Sequence, residues 1–314
     1  MKILITDTAT VRFNNDISLE PIAEFGEVTE FANITRAELL EIIGEFDAVL
    51  CNKTVFDSEV LERAEKLKYI GLFATGYNNI DLESASKKGI TVCNAGSYST
   101  DAVAQQTFAY ILEHFTKLSK YDAFVKEGGW KRSPIFSPII FPTDELSHKT
   151  IGIIGYGSIA KAVEKIALAF NMKPLVFTRT RGEDEKFVSF DELLEKSDIV
   201  TVHCPLNEQS REMMNESAFA KMRTGAFFIN TARGGVVKEK ALYDALMSGK
   251  LSGAAIDVLT SEPMREDCVL VDAPNILITP HTAWAPLTTR QRLLGIVCEN
   301  IGAFLNGTPK NKVN

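Results

Sequence analysis

The stretch Thr150-Ile151-Gly152-Ile153-Ile154-Gly155-Tyr156-Gly157-Ser158-Ile159-Ala160 decides how the rest of the chain is read. Ile151 to Ile154 is a short apolar, β-branched run of the kind that forms a buried strand. Gly155 to Ala160 follows at once in the form G-x-G-x-x-A, and the amphipathic run Ile159 to Phe170 predicts a helix. Each part answers a demand of a dinucleotide site. Gly155 permits the tight turn, and Gly157 lets the backbone approach a pyrophosphate with no Cβ in the way. Ala160 is small enough for close helix–strand packing, and the helix N-terminus offers unpaired N–H groups to phosphates. The hexapeptide takes its meaning from its place between a strand and a helix.

On both sides of this stretch, strand and helix signals alternate. Before it, strands are expected at Lys2–Thr6, Ala48–Cys51, Tyr69–Phe73 and Ile90–Cys93, and helices at Arg36–Ile43, Ser58–Lys66 and Leu82–Lys88. A long helical pattern runs from Asp101 to about Lys126 and is broken by Gly128-Gly129-Trp130. After it, strands are expected at 174–177, 199–202, 226–229, 254–258 and 274–278, with helices at 191–195, 216–222, 239–247 and 287–305. Such alternation implies right-handed βαβ units and parallel sheets, whose ligands sit at the carboxyl ends of the strands. Phe136, Ile139, Ile140 and Phe141 are too apolar for a free loop and are expected to pack on another domain or another subunit.

Composition sets the bounds. The chain has 314 residues, enough for two domains, and its 45% hydrophobic and 24% charged content is that of a globular protein. Thirty-four Lys+Arg against 41 Asp+Glu give a net charge of −7, which leaves no basic footprint for nucleic acid. No apolar run approaches the roughly 20 residues of a membrane span, and the first residues begin directly as a strand, without signal-peptide anatomy. Cysteines 51, 93, 204, 268 and 298 are odd in number and form no C-x-x-C pair. Buried thiols in a reducing cytoplasm are expected, with no metal site.

Several strand ends carry groups suited to chemistry. Cys51-Asn52-Lys53-Thr54 and Ala74-Thr75-Gly76-Tyr77-Asn78 are either substrate loops or plain turns. The strand Pro174–Thr178 ends without the carboxylate that would hold a ribose 2′-hydroxyl, and Arg179-Thr180-Arg181 follows. Two guanidinium groups in that place favour a 2′-phosphate, and hence NADP(H) over NAD(H); the other reading is a solvated loop that still accepts NAD(H). Arg233, between a strand end and two glycines, is placed to meet an anion, or is a surface Arg. Glu262 and His281 also follow strands. Of the four histidines, 114 and 148 are expected to be structural or exposed, and 203 to lie beside a cofactor. His281 is the best proton donor, kept charged by a neighbouring carboxylate.

Read in order, these segments resemble the D-isomer-specific 2-hydroxyacid dehydrogenase family over nearly the whole chain. The resemblance rests on Ala74–Asp81, the G-x-G-x-x-A turn, His203–Leu206, Asn230–Gly234, Ala255–Val258 with Glu262-Pro263, and Thr279–His281. Within the family, Ala74–Asn78, Cys51–Lys53 and the 130–136 region are most similar to the glycerate dehydrogenases (hydroxypyruvate reductases). The resemblance implies an α/β fold of two Rossmann-like doubly wound parallel-sheet domains. These are a flavodoxin-like substrate (catalytic) domain, 1–98 plus 287–314, and an NAD(P)-binding Rossmann domain, 99–286.

It further implies that Arg233, Glu262 and His281 are catalytic. Cofactor contacts would come from Thr75, Gly155, Tyr156, Gly157, Ser158, Ile159, Ala160, Thr178, Arg179, Arg181, His203, Cys204, Pro205, Thr231, Ala232, Arg233, Asp257, His281 and Ala283. Substrate contacts would come from Lys53, Thr75, Gly76, Tyr77, Arg233 and His281. Asp257 would fix the nicotinamide carboxamide, and the two domains would close over a small 2-keto or 2-hydroxy acid. A homodimer is implied, with the 130–141 stretch and the 101–126 helix at its interface. Two rivals stay open at this point: a broad 2-keto acid (glyoxylate, pyruvate) reductase, and a non-catalytic dinucleotide-sensing protein of the same fold.

Overall fold

The structure, a computed structural model, describes residues 1–179 and 182–314. The chain divides into two compact units, a split unit of Met1–Ser99 with Trp284–Asn314, and an inserted unit of Thr100–Ala283.

The split unit carries strands β1 (Lys2–Ile5), β2 (Glu27–Glu30), β3 (Ala48–Cys51), β4 (Tyr69–Leu72) and β5 (Thr91–Cys93), all parallel, in the order β2-β1-β3-β4-β5. That order is the flavodoxin-like one. Side chains alternate across a strand, so each strand feeds two cores. Leu4, Val49, Ile70 and Val92 pack with Leu39, Val60, Leu61 and Ala85 of helices α2 (Arg36–Ile42), α3 (Ser58–Arg63) and α4 (Leu82–Lys87), which follow the short α1 (Glu20–Ala23). On the opposite face Ile3, Ile5, Leu50 and Tyr69 pack with residues that the chain supplies much later, Leu293, Val297 and Ile301.

In the inserted unit come helices α5 (Thr100–Thr116) and α6 (Leu118–Lys126), then strands β6 (Thr150–Ile154), β7 (Lys173–Phe177), β8 (Ile199–Val202), β9 (Ala226–Asn230), β10 (Leu251–Ile256) and β11 (Ile276–Ile278). Helices α7 (Ser158–Ala169), α8 (Phe190–Lys196), α9 (Glu216–Lys221) and α10 (Glu239–Met247) lie between them, and α11 (Leu287–Leu305) belongs to the split unit. The six strands are parallel in the order β11-β10-β9-β8-β6-β7. Beyond β7, Val176 N donates to Lys186 O (2.7 Å) and Val188 N to Val176 O (3.0 Å), so the 184–188 segment stands where a third Rossmann strand would be. One face buries Ile151, Ile153, Ile199 and Phe227 under α5 and α7, and the other buries Val200, Val202 and Phe228 under α8 to α10.

Three sequence expectations change. The helix expected over 101–126 is two helices, because Lys117 is left-handed (φ 54°, ψ 35°). A left-handed residue costs about 1–2 kcal/mol, and with no Gly or Pro at the break the sequence carries no sign of it. The helix expected over 58–66 stops at Arg63, where the Lys88 ammonium takes the carbonyls of Leu61 (2.6 Å), Glu62 (2.8 Å) and Ala64 (3.3 Å). Strand β2 was not expected at all: Glu-Val-Thr-Glu is an edge strand with both glutamates and the Thr exposed, so it lacks an apolar pattern. Of the apolar stretch near 136–141, Phe141 packs on Tyr121 (centroids 5.1 Å apart), whereas Phe136 and Ile139 are 89% and 85% exposed. No helix among the described residues is long and apolar enough to cross a membrane.

Candidate active site

The helix starts set the first feature of the site. Helices α2, α3, α4, α8 and α9 begin on Thr35, Asp57, Asp81, Ser189 and Asn215, whose side chains accept a backbone N–H of the first turn. Helix α7 begins on Gly157, which has no side chain to do so, and its first N–H groups stay open to a ligand. A Cβ on Gly157 would meet nothing within 4 Å, so the space beside this backbone is clear. Gly155 is the opposite case: its φ is +89°, and a Cβ there would lie 2.8 Å from the Cys204 nitrogen and 2.9 Å from the His203 carbonyl carbon. The turn therefore packs against the loop after β8, and Ala160 is fully buried behind it. Nearby, the Thr231 hydroxyl is buried without a hydrogen-bond partner. Cleared backbone, uncapped N–H groups and an orphan hydroxyl fit a phosphate-bearing dinucleotide.

Around this turn the other expected contacts take their places. His203 Nε2 is 2.9 Å from the Thr201 hydroxyl, and burial pushes the imidazole down to about 3, so it stays neutral and is no proton donor at ordinary pH. Burial also pushes the Cys204 thiol up, and the Arg179 charge opposes that shift. Arg179 Nη1 donates to Gln209 Oε1 (3.2 Å), which holds the guanidinium beside the loop after β8. Arg181 lies outside the described residues.

At the ends of β9, β10 and β11 the reacting groups assemble. His281 Nδ1 is 2.7 Å from Glu262 Oε2, while Glu262 Oε1 accepts the Leu259 N–H at 3.0 Å. Both carboxylate oxygens are thus in use, one fixing the loop and one fixing the imidazole. His281 itself is left-handed (φ 54°), and its N–H is held by the carbonyls of Asp257 (2.8 Å) and Thr279 (3.0 Å). Asp257, 2% exposed, accepts the Thr279 hydroxyl and the Thr282 N–H (2.9 Å) on Oδ1 and the Ala283 N–H (2.9 Å) on Oδ2. Oδ2 keeps a further acceptor position. The Tyr110 hydroxyl of α5 bonds in turn to the Thr279 hydroxyl. Arg233 Nη1 donates to Ala232 O (2.7 Å), and Asn230 braces that loop, its amide giving to Arg233 O (2.9 Å) and taking the Ala232 N–H (3.0 Å). Gly234 lets the Arg233 loop lie on the Glu262 loop, since a Cβ there would sit 1.9 Å from the Leu259 carbonyl carbon.

Lys53, Thr75, Gly76 and Tyr77 belong to the split unit, on loops after β3 and β4. Asp7, buried at the end of β1, gathers the first loop: its carboxylate accepts the N–H of Asn52 (2.9 Å), Lys53 (2.6 Å) and Thr54 (3.0 Å). Asn94 donates to Thr75 O (2.8 Å), and the Thr75 hydroxyl donates to Gly96 O. The sequence gives no role to Asp7 or Tyr110, and Asn230 and Thr279 stand in it only as ends of the segments that carry the resemblance. The signal was available for Asp7 and Asn230, each a polar residue closing an apolar strand at its carboxyl end. For Tyr110, inside a helix, there was none.

Known proteins resemble the chain in both sequence and fold. The profile described as D-isomer specific 2-hydroxyacid dehydrogenase, NAD binding domain, matches residues 108–283. The chain is 37% identical to the hydroxypyruvate reductase of Blautia hydrogenotrophica, with 100% of each covered. It is 39% identical to the glyoxylate reductase of Thermococcus litoralis, over 89% of this chain and 87% of that one. Among solved structures, an acyclic imino acid reductase (Bsp5) in complex with NADPH and D-Arg matches with a TM-score of 0.88 at 29% identity, each chain covered in full.

Proposed function

The chain belongs to the D-isomer-specific 2-hydroxyacid dehydrogenase family, and from that premise we propose that it is a hydroxypyruvate reductase (glycerate dehydrogenase). It is an oxidoreductase that uses a nicotinamide dinucleotide on a small 2-keto or 2-hydroxy acid. The observation that carries the proposal is the Glu262–His281 pair at 2.7 Å on the unit that matches the NAD-binding profile. Glu262 accepts the Nδ1 proton, which leaves Nε2 as the nitrogen that meets substrate. His281 gives its Nε2 proton to the 2-keto oxygen as that oxygen becomes a hydroxyl, and takes it back in the reverse direction. Such acid–base help is worth roughly 10²–10⁴-fold. Arg233 binds the substrate carboxylate and polarises the keto group. When bound, the reduced nicotinamide supplies the hydride to C2. Asp257 holds the 279–283 turn and offers its remaining Oδ2 position to the carboxamide. Lys53, Thr75, Gly76 and Tyr77 are assigned to the substrate.

Thr178, without a carboxylate, and Arg179 support NADP(H) over NAD(H). The exposed Phe136, Ile139 and Trp130 support a homodimer through this stretch. Five free cysteines support a reducing, cytoplasmic setting.

A second reading, a glyoxylate reductase of wider keto-acid range, is favoured by the 39% identity to the Thermococcus protein. Oxidation of NADPH and of NADH with hydroxypyruvate, glyoxylate, pyruvate and 2-ketobutyrate separates the two. Highest kcat/KM on hydroxypyruvate with NADPH is expected. A preference for glyoxylate moves the assignment to the second reading, and no turnover with any of the four defeats both.

A further inference from the structure

One closed side-chain network of the inserted unit has no part in hydride transfer, yet it is built onto the glycine turn. Lys186 Nζ donates to the Tyr156 hydroxyl (2.8 Å) and to Glu164 Oε1 (2.6 Å), and the Tyr156 hydroxyl donates to Glu164 Oε2. The ammonium also stands over the rings of Tyr156 (5.0 Å) and Phe187 (5.5 Å). Glu164 is only 8% exposed, and a carboxylate in that position requires partners on both oxygens. Those partners, Glu164 first, hold the Lys186 pKa above the ordinary lysine value, so the ammonium keeps its charge.

Each member comes from a different piece of the dinucleotide surface. Tyr156 is the middle of the G-x-G turn, Glu164 lies on α7, and Lys186 lies on the segment returning from the loop after β7 that carries Thr178 and Arg179. In this fold the glycine turn meets the pyrophosphate and the end of the second strand meets the adenosine ribose. We propose that Lys186 and Glu164, through the Tyr156 hydroxyl, are positioning residues that set the glycine turn and the strand end at Thr178 and Arg179 as one surface for the adenosine half of the dinucleotide. The inference deepens the dinucleotide-binding part of the proposed function and rests on it. Lys186 acts here through its partners, not as a free charge aimed at phosphate, because Glu164 neutralises it.

The test is a fluorescence titration of NADPH and of NADH onto the full chain and its Lys186→Met and Glu164→Gln variants. Thermal unfolding and kcat with hydroxypyruvate at saturating dinucleotide are measured beside it. Both variants are expected to weaken both dinucleotides by about tenfold. The dinucleotide KM should rise in step, with kcat held within about twofold. A Glu164→Gln variant that binds NADPH more tightly overturns the proposal, since Lys186 would then act by its own released charge. A lowered Tm with unchanged dissociation constants overturns it too, as the mark of a merely structural brace. Tyr156→Phe removes only the hydroxyl and should give a smaller loss in the same direction; it decides the matter if Glu164→Gln does not fold. Absence of keto-acid turnover in the parent chain would count against the substrate assignment alone, because the titrations need no turnover.

Discussion

The two units are built on one plan and finished differently. Each is a parallel sheet with helices on both faces, and each carries its polar loops after the strands. In the split unit those loops bind each other: Asp7 collects three consecutive N–H groups, and Thr75, Asn94 and Gly96 close a ring of hydrogen bonds. In the inserted unit the loops leave groups open: the start of α7, the Thr231 hydroxyl and one nitrogen of His281. The histidines divide the same way, since all four (114, 148, 203 and 281) lie in the inserted unit. One architecture thus gives loops held on one another around Asp7 and Asn94, a scaffold for the substrate groups assigned to them, and loops that leave groups open to a ligand.

The sharpest way to break this contrast is to remove an open group. His281→Gln should lower kcat/KM for the keto acid by about 10²–10⁴-fold while thermal stability stays near that of the parent. A large loss of stability instead would mean that the imidazole is structural. Next in size is the mirror experiment in the scaffold. Asp7→Ala strands the N–H groups of residues 52–54, and urea unfolding should show a loss of about 2–4 kcal/mol. A loss below about 0.5 kcal/mol would deny Asp7 its organising role. Gly157→Ala adds a methyl where nothing lies within 4 Å. Stability should hold, while NADPH binding weakens by about tenfold, roughly the loss of one phosphate hydrogen bond; equal binding would remove this backbone from the phosphate site.

The smallest effect separates the units by pH. Burial pushes His114 down to about 4 and His203 to about 3. The unfolded chain takes up these protons near the ordinary histidine value, so the stability they contribute is complete above roughly pH 6.5. It falls as pH drops from there, through about 4 for His114 and about 3 for His203. Asp16 of the split unit, held down to about 2 by Arg290, contributes stability above the ordinary carboxylate value and loses it only as pH falls toward 2. Amide exchange corrected for intrinsic rate should therefore rise around α5 and β8 between pH 7 and pH 5, and stay level in β3 and β4. His203→Gln should flatten the response in β8. Equal changes in both units would contradict the assignment.

How much of this was legible in the sequence follows from the range of the forces involved. Strand and helix alternation is written locally, in period and punctuation, so both sheets and their parallel sense could be read. The glycine turn and the loops after strands that hold Arg233, Glu262 and His281 could be marked locally, whereas the roles expected of those three came from the family resemblance. A carboxylate beside His281 was expected, and Glu262 supplies it from a separate loop; that Tyr110 reaches Thr279 from a helix far earlier in the chain was not. The left-handed Lys117 was not legible either, because neither Gly nor Pro marks the break. Edge strand β2 escaped for the converse reason: it is held by hydrogen bonds to β1 with little apolar burial to mark it.

Helix α11, which covers Ile3, Ile5, Leu50 and Tyr69, has a consequence for how the protein is made. Those residues leave the ribosome early, but Leu293, Val297 and Ile301 follow only after all of Thr100–Ala283 has been translated. At about 5–20 residues per second that interval is on the order of 10–40 s. Throughout it, one face of the first sheet is an unfilled apolar surface, while the uninterrupted inserted unit can already close on itself. Nascent chains halted within this window should bind a holdase chaperone through the Lys2–Leu72 region, and release it once α11 has emerged.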